Sequence, residues 1–128
     1  MSAMLLDTHA YLWWVLDDVR LSPALVARVR AADDVYVSAA TPWEIRTKYR
    51  LAKLPEAAGL VGDLADHVQR DGFRELPITF ADGDLAGGFA QVHKDPFDRM
   101  LAAQALNNGL SLVSNDAAFD AFGVVRVW

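Results

Sequence analysis

The chain has no cysteine, which excludes disulfides and thiolate metal sites. It also lacks any apolar run near the ~18–20 residues that a membrane-spanning helix needs. The longest candidate, Tyr11 to Leu16, is far too short. No basic segment precedes that run and no small-residue cleavage site follows it, so it does not read as a secretion signal. Bases are in short supply, with 12 Lys and Arg against 17 Asp and Glu and a net charge of −5. Such a balance argues against holding nucleic acid by bulk electrostatics. A polyanionic substrate would need a local basic patch or a bound cation. There is no internal repeat, low-complexity tract or linker. The expectation is a cytoplasmic protein folded as one domain over residues 1–128. Its hydrophobic fraction of 53% is enough to bury a substantial core.

What is present alternates. Met4-Leu5-Leu6 reads as a short strand ending at Asp7, and Thr8 to Leu16 as a helix. Ser22-Pro23 is an N-cap followed by proline at the first helical position, opening a helix to about Ala32. Val35 to Ser38 is a β-branched strand. Thr41-Pro42-Trp43-Glu44 reads as a capping box, opening a helix that stops near Leu54-Pro55. Glu56 to about Asp71 reads as one further helix, with Leu60, Leu64 and Val68 at helical spacing. A strand is expected within Phe73–Ile78 and a weak helix from Thr79 to about Gly87, made doubtful by its glycines. Asp95 to Asn108 reads as a long helix ended by Gly109. The chain closes with a strand over Leu110–Ser114, a short helix over Asp116–Phe122 and a strand over Val124–Val127. Strands alternating with helices imply an α/β fold, a three-layer α/β/α sandwich around a central parallel sheet of four to five strands. Such sheets bind ligands beyond the carboxyl ends of their strands.

Four acids fall at strand-to-helix corners: Asp7, Glu44, Asp98 and Asp116. Each alone can be read as a helix cap or a first-turn acid. Brought together they would repel, and a cation among them would relieve that repulsion. Oxygen ligands without Cys, and without His at metal spacing, select Mg²⁺ or Mn²⁺ over Zn²⁺. A hard cation of this kind supports phosphodiester cleavage and offsets the acidic field against an anionic substrate.

The stretches Leu5-Leu6-Asp7-Thr8-His9, Val37 to Ile45, His93-Lys94-Asp95-Pro96-Phe97-Asp98-Arg99 with Leu101-Ala102-Ala103-Gln104-Ala105, and Leu112-Val113-Ser114-Asn115-Asp116 with Phe119 occur in that order. As a set they resemble the PIN-domain ribonucleases of the VapC toxin type, over almost the whole chain. The resemblance implies a Mg²⁺- or Mn²⁺-dependent endoribonuclease, the toxin of a toxin–antitoxin pair. It puts the acidic quartet on Asp7, Glu44, Asp98 and Asp116, with Asp7, Asp98 and Asp116 toward the metal and Glu44 supporting a water or second ion. It puts a hydroxyl, Ser114, near the fourth acid, as a candidate substrate contact beside Arg46, Arg50 and Arg99. It further implies an RNA substrate, a cognate antitoxin and a homodimer. Pro42 departs from the apolar residue more usual before the Trp-Glu pair.

Lesser candidates surround the quartet. Asp95 reads as the cap of the long helix, and Asp120 as a solvated or supporting acid. His9 reads as a partly buried polar residue, His93 as structural and His67 as surface. Arg46, Arg50 and Lys53 share one helical face, which is either solvated or a rim that guides RNA phosphates; Lys48 belongs to the same basic cluster. Arg99 is placed to pair with a carboxylate or grip a phosphate. Since Trp13 and Trp14 are adjacent, one is expected to leave an exposed stripe for a partner. Rival readings are a non-catalytic α/β binding module, whose acids are only caps, or another acidic-pocket phosphoryl hydrolase. An aspartyl phosphatase would want a second Asp where His9 stands, and a receiver domain a late lysine after a strand; neither pattern is present.

Overall fold

A computed structural model describes residues 2–128. Five strands form one sheet: β1 (Ala3–Leu6), β2 (Asp34–Ser38), β3 (Arg74–Leu76), β4 (Ser111–Val113) and β5 (Arg126–Val127). Their order is β3-β2-β1-β4-β5 and every pairing is parallel. The chain therefore builds outward from β1 to β3, then crosses back to lay β4 on the other side of β1. Leu6 is consequently flanked by Val37 and Val113. The reversal puts a switch point at the carboxyl ends of β1 and β4, where the residues following each strand diverge and leave a crevice.

The pleat divides the apolar residues between two cores. Met4 and Leu6 of β1, Val35 and Val37 of β2 and Val113 of β4 join one cluster. Leu5 and Leu112 face the other. The first cluster is covered by α1 (Thr8–Val15), α2 (Pro23–Ala31) and α4 (Leu64–Arg70); the second by α6 (Pro96–Asn108). Apolar runs buried on both faces are the mark of a parallel sheet, and the expected three layers are present with five strands.

Helix ends follow local chemistry. Ser22 caps α2, its Oγ accepting the Leu25 amide at 3.1 Å, with Pro23 behind it. Asp95 caps α6, and Gly109 ends it at φ +64°.

Four expectations change. The capping box of Thr41 and Glu44 does not form. Helix α3 (Ala40–Arg50) starts earlier, because the Ser38 hydroxyl takes the Ala40 amide at 3.0 Å. Thr41 and Glu44 then lie inside the helix, both buried. A capping box does exist, at Thr79 and Asp82, opening α5 (Phe80–Gly88), the helix whose glycines made it doubtful. The expected single helix over Glu56–Asp71 is instead a 3-10 turn at Pro55–Ala57, a loop and α4; Gly62, at φ +95°, takes a conformation that interrupts a helix. Leu60, Leu64 and Val68 are buried as expected despite that break. The last short helix is a 3-10 segment, Ala117–Phe122. Trp13 is buried and Trp14 packs against the first core, so the pair leaves no exposed stripe; Trp43, against Phe97, and Trp128 are the more exposed tryptophans.

Candidate functional site

A cleft of about 440 Å³ opens at the switch point. Asp7, Glu44, Asp95, Asp98 and Asp116 line it, with His9, Trp13, Lys48, Asn115 and Phe119. All four expected acids thus share one cleft. Asp95, read from sequence as a cap, joins them.

Each acid is held by its own local device. Asp7 directly follows β1 and caps α1, its Oδ1 accepting the Ala10 amide at 2.7 Å. It is 6% exposed. Burial pushes its carboxyl above the usual carboxylate range, against hydrogen bonds from the Ser114 hydroxyl and the Ala10 amide. Ser114 is fully buried at the end of β4, where its hydroxyl also accepts the Asp116 amide at 3.0 Å. One side chain therefore ties the loops after β1 and β4, and, buried outside the cleft lining, it is not the substrate contact expected from sequence.

Glu44 projects from the second turn of α3 and is 2% exposed. The Thr8 hydroxyl donates to its Oε1 at 2.6 Å, and Lys48, one turn further on, donates to its Oε2. Burial works against the Lys48 charge, but Glu44, with Asp95 and Asp98 beyond it, outweighs that and holds the ammonium above its ordinary range.

Asp98 stands in the first turn of α6. Burial pushes its carboxyl up to about 6, with the charges of Asp95 and Glu44 acting the same way and a hydrogen bond to His93 opposing them. His93 Nε2 lies 2.9 Å from Asp98 Oδ2, and its ring packs on Phe119 and Phe122. Asp95 spends Oδ1 on its cap, accepting the Phe97 amide at 2.8 Å and the Asp98 amide at 3.3 Å. One carboxylate oxygen from each of Glu44, Asp95 and Asp98 falls within 4.8 Å of the others. That all-oxygen set fits a hard divalent cation such as Mg²⁺ or Mn²⁺. Asp116 is exposed in the cleft lining, where it caps the 3-10 segment through a bond from the Ala118 amide at 3.0 Å.

The expected phosphate contacts lie elsewhere. Arg99 is a backbone clamp, donating to the carbonyls of Ala86, Phe89 and Gln91 at 2.8 Å each, of His93 at 3.0 Å and of Gly87 at 3.4 Å. A guanidinium has five donors, so none is left for a phosphate. It secures the loop that leads into Asp95. Arg46 and Arg50 are exposed on α3 outside the cleft lining. Asp120 pairs with Arg126 at 2.9 Å, outside the cleft. The sequence expectations placed His93 as structural and Lys48 in the basic cluster, and missed that each pairs with a cleft acid. The spacing of Glu44 and Lys48, four residues apart on one helix, was the available signal for the second.

Fold and cleft define a class: a three-layer α/β protein with a carboxylate-lined crevice at its topological switch point. The PIN domain family matches residues 4–125, and the chain belongs to that family. It is 29% identical over 119 residues to Ribonuclease VapC22 of Mycobacterium tuberculosis, covering 91% of this chain and 88% of that protein. Among solved structures it is similar to VapBC2 from Rickettsia felis bound to a DNA fragment from its promoter, with TM-score 0.70, 13% identity and coverage of 98% and 97%. It is likewise similar to FitAcB from Neisseria gonorrhoeae, with TM-score 0.66, 22% identity and coverage of 98% and 96%. A toxin-antitoxin complex from Klebsiella pneumoniae superposes with TM-score 0.67 at 15% identity, over 98% of this chain and 96% of that one. At these identities the structural likeness speaks for the fold.

Proposed function

We propose that this single-domain protein is a Mg²⁺- or Mn²⁺-dependent endoribonuclease and the toxin of a toxin–antitoxin pair. The observation that carries the reading is Glu44. Asp7, Asp95 and Asp116 can each be explained as helix caps. Glu44 caps nothing, lies 2% exposed inside a helix and shares a cleft with four other carboxylates. Thr8 and Lys48 meet its own charge, but Lys48 is the one Lys or Arg in a lining of five carboxylates, and a bound cation would offset the rest. The ribonuclease relative and the toxin–antitoxin assemblies among the structural neighbours support the substrate and the partner.

In this reading Asp98, Glu44 and Asp95 would hold the ion, in place of the Asp7, Asp98 and Asp116 set expected from sequence, with Asp7 and Asp116 completing the carboxylate wall. When bound, the ion supplies charge that polarises the phosphoryl group and acidifies an attacking water. The chain's own residues hold the acids in place. Ser114 fixes Asp7, Thr8 and Lys48 fix Glu44, and His93 fixes Asp98. The partner is a cognate antitoxin whose segment covers the cleft, and two copies of the chain associate in the cytoplasm. Among the described residues no helix is long and apolar enough to cross a membrane.

The test is cleavage of single-stranded RNA by purified protein with Mg²⁺ or Mn²⁺. Chelator, or Asp98→Asn, should abolish it. RNA cut equally by wild type and Asp98→Asn would instead point to a contaminating nuclease, and intact RNA under all conditions would favour a binding module.

A further inference from the structure

Five carboxylates line the cleft, and Lys48 is the one Lys or Arg among them. A phosphodiester entering there meets a strongly repulsive field. The other basic side chains that sequence suggested are spent or misplaced: Arg99 gives its guanidinium to five backbone carbonyls, while Arg46 and Arg50 lie outside the lining. Lys48 differs from all of these. Its ammonium has three donors, and Glu44 takes one. The side chain is 28% exposed and lines the cleft. It pairs with Glu44 and shares the cleft lining with Asp95 and Asp98, the three acids whose oxygens converge.

We propose that Lys48 is the phosphate-binding residue of this site, its ammonium holding the substrate phosphodiester against the carboxylate cluster while it fixes Glu44. The inference rests on the ribonuclease reading for the identity of the substrate. Lys48 thereby carries a role that the acidic surface cannot supply. It also acts as a resident counter-cation among the acids, so its removal leaves the cluster more negative and more attractive to a divalent ion. Phosphate grip and metal affinity should then respond in opposite directions.

The experiment measures binding of a fluorescent single-stranded RNA by anisotropy in Ca²⁺ across a KCl series, beside binding of Mn²⁺ alone, for wild type, Lys48→Met and Lys48→Arg. Losing one phosphate contact on a single strand should flatten the slope of log K against log salt by about 0.7. Lys48→Met is expected to show that change and about tenfold weaker RNA binding, with Mn²⁺ binding equal or tighter. Lys48→Arg should keep the wild-type slope. Should Lys48→Met fail to fold, Glu44→Gln is compared with Glu44→Gln/Lys48→Met, where the buried charge is removed with its partner; the slope should still drop by about 0.7. An unchanged slope, or Mn²⁺ binding lost in step with RNA binding, would reduce Lys48 to a prop for Glu44 and overturn the proposal. A wild type that binds RNA but never cuts it defeats the ribonuclease reading while the slope still decides Lys48. One that binds no RNA defeats both.

Discussion

Replacing Asp98 by Asn should stabilise the metal-free protein at neutral and alkaline pH. The Asp98 carboxyl rises from 3.8 to about 6 in the folded chain, chiefly because burial disfavours its charge. Between those values the folded chain holds more protons than the unfolded one, so stability falls as pH rises through that window and stays reduced above it. Each unit is worth about 1.4 kcal/mol, and roughly two units give an upper bound of about 3 kcal/mol. The Asp98 side chain is 21% exposed, so solvent screens part of this and about 2 kcal/mol is the working figure. Asn keeps the shape and an oxygen for His93 but carries no charge. In chelator at about pH 8, Asp98→Asn should therefore melt about 8 °C above wild type, taking about 4 °C per kcal/mol for a domain of this size. Near pH 3.5, where Asp98 is protonated, the two curves should converge. Mg²⁺ should raise the wild-type midpoint and leave the variant much less changed, since an ion that binds only the folded state stabilises by mass action. The assay is a thermal melt by circular dichroism over pH, with and without Mg²⁺. A variant that melts at or below wild type throughout would refute the claim that Asp98 is held charged at a cost.

Three further outcomes are expected. Asp95→Ser retains a good N-cap, so stability should stay within about 0.5 kcal/mol, yet Mn²⁺ titration should show clearly weaker binding because the carboxylate is gone. Gln104→Leu should cost about 2–4 kcal/mol in urea unfolding, since the fully buried amide bonds to Ser38 and to the carbonyls of Leu76 and Pro77, all left without it. Gly109→Ala should lose about 1 kcal/mol by the same assay, because its φ of +64° suits glycine while nothing lies within 4 Å of an added Cβ.

The sheet was readable because it is buried on both faces. Continuous apolar runs, short and bounded by acids or glycine, separate strands from helices even without an alternating pattern. The long helix was readable at both ends from Asp95-Pro96 and Gly109, each with a local mechanism. What failed was each choice in which another group took the partner first, near or far along the chain, and the helix that Gly62 interrupts. Thr41 and Glu44 have the spacing of a capping box, but the Ser38 hydroxyl reached the helix amide first and turned Glu44 inward. Arg99 beside Asp98 has the look of an anion grip, but the loop that it clamps folds over it from the preceding helix. Trp13 and Trp14 both found cover, one against Trp128 and the other against Phe73. Periodicity predicts which face is apolar; it does not say which side chain a distant loop will bring to meet it.

Capping and ion binding need not compete at this cleft. Asp7, Asp95 and Asp116 each use Oδ1 to accept an amide two or three residues ahead. That bond fixes the side-chain torsion, and a carboxylate so fixed still has a second oxygen. Three loops after three different elements thus present aimed oxygens to one crevice, at the helix N-termini where backbone amides already favour negative charge. The dipoles ease the crowding of acids that Coulomb repulsion opposes, and they do so before any cation arrives. Asp98 and Glu44, which cap nothing, are the two that need separate partners, and they have them in His93, Thr8 and Lys48. This division explains why a cluster of five acids can be built from ordinary helix starts, and why the two acids lying within helices are the ones most dependent on side-chain neighbours.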